Sequence, residues 1–207
     1  MFSRTIFFKV IPSILFTFFS ANAEDFEKLK KECEKDKKVC SKAMETFKKA
    51  CDEGDAEGCY YLSTIYRINE DYSKAFQYSK LACDKGSING CVELGWLYKM
   101  GFGTKQDYKK AYELFKSACD KGNGRGCAEL GWLYKRGRGV NRDFKKAAEL
   151  YKLACERGNT EGCFKLGFLY KKGKGVEISY KKAAKLFQYV CDRGDMRGCI
   201  ELSNFYR

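Results

Sequence analysis

The chain has 207 residues, with 40 Lys plus Arg against 27 Asp plus Glu, a formal charge of +13, twelve Cys, one Pro and no His. Without histidine, a Ser-His-Asp triad, a Cys-His dyad, a His-ligated zinc and an HExxH helix are all excluded. At 44% hydrophobic and 15% aromatic residues, the chain is too apolar to stay unfolded.

The first 23 residues read as a signal peptide. Arg4 and Lys9 precede or open an apolar stretch running from Val10 to Phe19, and Ala21-Asn22-Ala23 supplies a small-x-small cleavage pattern. The expected mature chain begins at Glu24. The apolar stretch is too short to span a bilayer comfortably, which argues against a membrane anchor. The first Cys is Cys33, too far on for lipidation at the cleavage site. No long apolar run follows, so the expected product is a secreted or periplasmic monomer without an integral membrane segment, in a compartment that permits disulfides.

The cysteines then set the organisation. Five pairs share the spacing C-x7-C: Cys51/Cys59, Cys83/Cys91, Cys119/Cys127, Cys155/Cys163 and Cys191/Cys199. Their leading members recur after 32 residues once and after 36 three times. A fixed period of this length marks a solenoid of stacked supersecondary units. Residues 24–207 are expected to form one such stack, an N-terminal helix followed by five Cys-paired repeats.

Each unit reads as two helices. Before the leading Cys lies an apolar stripe at helical spacing, in the third unit Tyr108, Ala111, Leu114, Phe115 and Ala118. Asp71, Asp107, Asp143 and Ser179 stand at its N-cap. Gly54, Gly86, Gly122, Gly158 and Gly194 end the first helix, and Asp55, Ser87, Asn123, Asn159 or Asp195 caps the second. The second helix carries the other Cys in its first turn and then a Leu-Gly-x-Leu-Tyr pattern. The unit from Cys51 lacks four residues of the Gly-x-Gly loop that closes later units. No strand pattern appears, so the fold class is all-α, a right-handed α-solenoid.

In such a hairpin the last turn of one helix faces the first turn of the next, within reach of a disulfide. The five pairs are therefore expected to bridge as spaced. Cys33 and Cys40 stand as neighbours across an earlier turn and are paired with each other. Each closure of about nine residues contributes roughly 2.5 kcal/mol in the chain-entropy model. Zinc lacks the CxxC spacing it needs, and neither metal nor cofactor is expected.

The Leu-Gly-x-x-Tyr helix, the Gly-x-Gly loop and the Asp-Tyr-x-Lys-Ala helix resemble Sel1-like repeats, relatives of the tetratricopeptide repeat. With one disulfide per hairpin and a signal peptide, the chain resembles the Helicobacter cysteine-rich protein family. That resemblance implies two functions: a module binding peptides or proteins, or a penicillin-binding β-lactamase conferring antibiotic resistance.

The residues give the second no support. A serine β-lactamase needs S-x-x-K with S-D-N and K-T-G. After the signal peptide the one S-x-x-K is Ser179-Tyr180-Lys181-Lys182, where Ser179 occupies the N-cap column. Asp52, Asp84, Asp120, Glu156 and Asp192 follow the leading Cys in every unit, too regular for a unique acid/base pair. Catalytic residues are therefore unassigned.

A binding face is easier to define. On the Leu-Gly helix, the ninth, thirteenth and sixteenth residues after the leading Cys share one side. The candidates are Tyr60 and Arg67, then Trp96 and Lys99, then Trp132 and Lys135, then Phe164, Phe168 and Lys171. By resemblance this side lines a groove, and aromatics beside cations suit a peptide, a protein, a cell-wall fragment or a β-lactam carboxylate. The competing reading is that Trp and Phe pack against the adjoining repeat. Nucleic acid is not expected of an exported chain.

Overall fold

The computed structural model describes residues 37–205. The expected signal peptide, the helix before Lys37, Cys33, Tyr206 and Arg207 lie outside the described residues. Ten helices occur among the described residues: α1 (Lys37–Asp52), α2 (Ala56–Ile68), α3 (Tyr72–Asp84), α4 (Ile88–Met100), α5 (Tyr108–Asp120), α6 (Gly124–Arg136), α7 (Phe144–Glu156), α8 (Thr160–Lys172), α9 (Tyr180–Asp192) and α10 (Met196–Ser203). There is no strand among the described residues. The fold is the expected α-solenoid.

The expected caps are in place. The Asp107 carboxylate accepts the backbone N–H groups of Lys109 and Lys110, and Asn123 accepts that of Gly126. These bonds satisfy donors that the first helical turn leaves free. Between α1 and α2, and at each later Cys pair, the chain reverses through a glycine; Gly122 has φ +94°. The shortened loop after α2 instead turns at Glu70, whose φ is +61°.

Two kinds of close approach hold the layers together. At each reversal the paired Cys are bridged: Cys51–Cys59, Cys83–Cys91, Cys119–Cys127, Cys155–Cys163 and Cys191–Cys199, with Cα separations of 4.4 to 4.8 Å. Cys40 is also disulfide-bonded. Further along, Gly95 of the Leu-Gly pattern faces the buried Phe115 ring of the next helix, and a Cβ there would sit 2.7 Å from that ring. In the first full hairpin the same positions are both small, Ser63 and Ser79, and both are buried.

The Leu-Gly helices α2, α4, α6, α8 and α10 form one layer and the Cys-leading helices the other. Within the first layer α2 packs on α4, and α6 on α8, in addition to their sequence neighbours. The Leu62, Leu94, Leu130, Leu166 and Leu202 side chains are buried between the layers. No helix among the described residues is long and apolar enough to cross a membrane.

Candidate functional site

The candidate residues lie on the Leu-Gly layer, one set per repeat, as the column spacing expects. Their environments differ from one another. Trp96 and Trp132 are partly buried. Trp96 meets Phe102 edge-on at 5.6 Å, and Trp132 stacks on Tyr108 at 6.5 Å. Phe168 is half-buried in an aromatic cluster with Phe164 and Phe187, at 5.0 and 5.3 Å. Phe164 itself is buried in that core. Tyr60 is partly buried, and burial pushes its hydroxyl pKa up. The column thus divides between packing and surface, with Tyr60, Trp96, Trp132 and Phe168 keeping partial exposure.

The cations are tied up more fully than the sequence reading expects. Arg67 of α2 pairs with Glu93 of α4, a carboxylate with no exposed side-chain surface that Arg125 also contacts at 3.1 Å. Lys99 of α4 donates to Glu129 of α6 at 2.7 Å. Lys171 of α8 donates to Glu201 of α10 at 2.9 Å. Lys99 is only 8% exposed and is thereby committed to Glu129, not open to a ligand carboxylate. Each cation also lies over an aromatic ring of the following repeat: Arg67 over Trp96 at 5.3 Å, Lys99 over Trp132 at 4.8 Å and Lys171 over Phe205 at 5.0 Å.

The periodicity of a single helix does not reveal these partners. Glu93, Glu129 and Glu201 fall ten residues after the leading Cys of their own units, and two of the pairs are separated by 30 residues. That spacing was the available signal. It has one exception. Thirty residues beyond Lys135 stands Lys165, so this junction has a cation at both positions where the other junctions place a cation and a carboxylate.

The remaining sequence candidates take structural roles. The Ser179 hydroxyl accepts the backbone N–H of Lys182 at 3.3 Å as the cap of α9. Asp120 and Glu156 sit on the surface near Lys116 and Lys152, at 3.4 and 3.7 Å. No group of three or more His, Cys, Asp or Glu able to hold a metal occurs among the described residues.

The Sel1 repeat family matches residues 36–55, 56–87, 88–123, 124–159 and 160–195. The chain belongs to the Sel1 repeat family. In the family's frame a repeat starts at the Leu-Gly helix, so each bridge, such as Cys119–Cys127, joins successive repeats.

Among solved structures, the chain is similar to Helicobacter pylori cysteine-rich protein B, with 34% identity and a TM-score of 0.51 over 62% of this chain and 92% of that one. It is also similar to c5321, a protective antigen of uropathogenic Escherichia coli strains, with 28% identity and a TM-score of 0.66. That match covers 77% of this chain and 35% of the antigen, so this chain spans about a third of the antigen's length. A Sel1 repeat protein from Oxalobacter formigenes shares the fold at 24% identity and a TM-score of 0.67, over 73% of this chain and 63% of that one. No curated protein matches the chain.

Proposed function

We propose that this Sel1 repeat protein is a binding scaffold for a protein segment, which lies in extended form along the Leu-Gly layer. The observation that carries this reading is the column of partly exposed Trp96, Trp132 and Phe168. Each belongs to a successive repeat, on the layer whose helices touch from one repeat to the next. Helices that converge in this way line the inner side of a curved stack, where an extended chain can meet several repeats at once. Aromatic anchors at a regular interval suit such a ligand, since a few large side chains carry most of an interface's affinity.

Five bridges fit a chain that works outside the reducing cytoplasm, and we place it in the periplasm or beyond the cell. The β-lactamase reading has no comparable support. Its one serine candidate, Ser179, caps a helix, and no S-D-N or K-T-G accompanies it.

The test is selection of random twelve-residue peptides displayed on phage against the full oxidised chain. Binding of the selected peptides is expected to weaken more than tenfold on Trp132→Ala, with the helical circular dichroism kept. It should be unchanged by Lys185→Ala on the other layer. Peptides indifferent to Trp96→Ala and Trp132→Ala would overturn the reading. So would stoichiometric acylation by a labelled penicillin, lost in Ser179→Ala, with no peptide selected.

A further inference from the structure

Four junctions between successive Leu-Gly helices have both of their column residues among those described. Three are closed by a carboxylate, as Arg67–Glu93, Lys99–Glu129 and Lys171–Glu201. At the fourth, between α6 and α8, the carboxylate position is held by Lys165, and Lys135 has no acidic partner among the described residues. We propose that this junction is a carboxylate-binding site. Lys135 takes an acidic side chain of the bound peptide, in the place that Glu93, Glu129 and Glu201 fill at the other junctions. This rests on the binding reading above and names the chemistry it prefers.

The charges around Lys135 support it. Arg136 on the same helix, Lys165 and Lys172 on α8, and Lys174 in the loop beyond all act on it with the same sign. Burial, and next the repulsion of Lys165, hold its ammonium below the usual lysine range. The acid beside Lys165 is already taken: Glu161 accepts from Lys165 at 2.8 Å and from Arg197 of α10 at 2.7 Å. Burial pushes the Glu161 carboxyl up, but these two bonds outweigh it and keep the group ionised. An incoming carboxylate would thus supply the charge that this junction lacks.

The apolar part of the ligand also has a place. Trp132 precedes Lys135 by three residues and shares its side of α6. Phe168 stands at the matching position on α8. A side-chain carboxylate on an aliphatic stem fits the pattern, because the other junctions are closed by Glu side chains.

The substitution that tests this converts the odd junction into a regular one. Lys165→Glu should give Lys135 an internal partner and leave Glu161 bonded to Arg197. The probe is a capped pentapeptide with a central glutamate between leucines, titrated into the full oxidised chain with 13C-methylated lysines. The Lys135 signal is assigned by its loss in Lys135→Arg. That signal is expected to shift saturably with the glutamate peptide, and the glutamine counterpart should bind at least tenfold more weakly. Lys165→Glu should lower the glutamate peptide's affinity at least tenfold while the melting midpoint stays level or rises. Lys135→Gln should lose affinity similarly, read from Trp fluorescence.

Equal binding of the two peptides, or full affinity in Lys165→Glu, would overturn the site. A response to a glutamine peptide with a free C-terminus but none to the capped glutamate peptide would overturn the side-chain assignment. A response to inorganic phosphate alone would do the same. If phage-selected peptides still depend on Trp132 while carboxylate makes no difference, only this inference falls. If no peptide depends on Trp132, the binding reading falls with it.

Discussion

The Lys99 ammonium donates to the Glu129 carboxylate at 2.7 Å and lies 4.8 Å from the centre of the Trp132 ring, one repeat further on. A cation, an acid and an indole from two repeats therefore share one partly buried site. Taking away one charge leaves the other largely desolvated. Glu129→Gln is expected to cost about 2 kcal/mol, and Lys99→Met with Glu129→Leu less than the sum of the single changes. Urea unfolding of the four members of this cycle measures it. Additive effects would show that the two groups are not coupled.

The Leu-Gly helices approach their partners where a side chain would collide. Gly95→Ala should destabilise the protein by about 1–3 kcal/mol, since its Cβ would meet the Phe115 ring at 2.7 Å. Phe115→Leu in the same chain should recover part of that loss, because it opens room at the contact. No rescue in the double variant would place the strain elsewhere.

The bridge Cys119–Cys127 closes a short loop between two adjacent helix ends. Replacing both with serine should lower stability by about 2.5 kcal/mol and leave the far-ultraviolet circular dichroism nearly unchanged. Arg157 adds a second clamp to this turn, donating to the Cys119 carbonyl at 2.6 Å. Arg157→Ala should therefore destabilise the serine variant further. Guanidinium titrations of both variants decide this.

The architecture could be read in the sequence because its determinants are local. The caps at Asp107 and Asn123 lie within three residues of the N–H groups they serve, and the Cys spacing alone fixes its bridges. The charge ladder is not legible in the sequence, because its partners meet only once repeats have stacked. Lys99 and Glu129 are 30 residues apart and fall on different helices, so neither helix's own periodicity reveals the pair. The phase of the repeat was ambiguous too, since a 36-residue period does not say which helix comes first.

Lys135 gives the stability a dependence on pH. Its folded-state pKa is lowered by burial and then by Lys165, while the unfolded chain keeps the ordinary lysine value of about 10.4. Folding therefore opposes protonation. The cost is complete below the folded-state pKa, declines as pH rises from there, and is gone only above the unfolded value. Lys135→Met should be more stable than the parent near neutral pH, and its advantage should shrink as pH rises from the lowered pKa towards the unfolded value of about 10.4. Urea midpoints across that range would show a constant difference if Lys135 were fully solvated.

Hydrogen–deuterium exchange of the full oxidised chain, with and without a phage-selected peptide, separates the two helical layers most directly. Added peptide should slow exchange in α4, α6 and α8, around Trp96, Trp132 and Phe168, and leave α5, α7 and α9 unchanged. Protection confined to α5, α7 and α9 would contradict a binding face on the Leu-Gly layer.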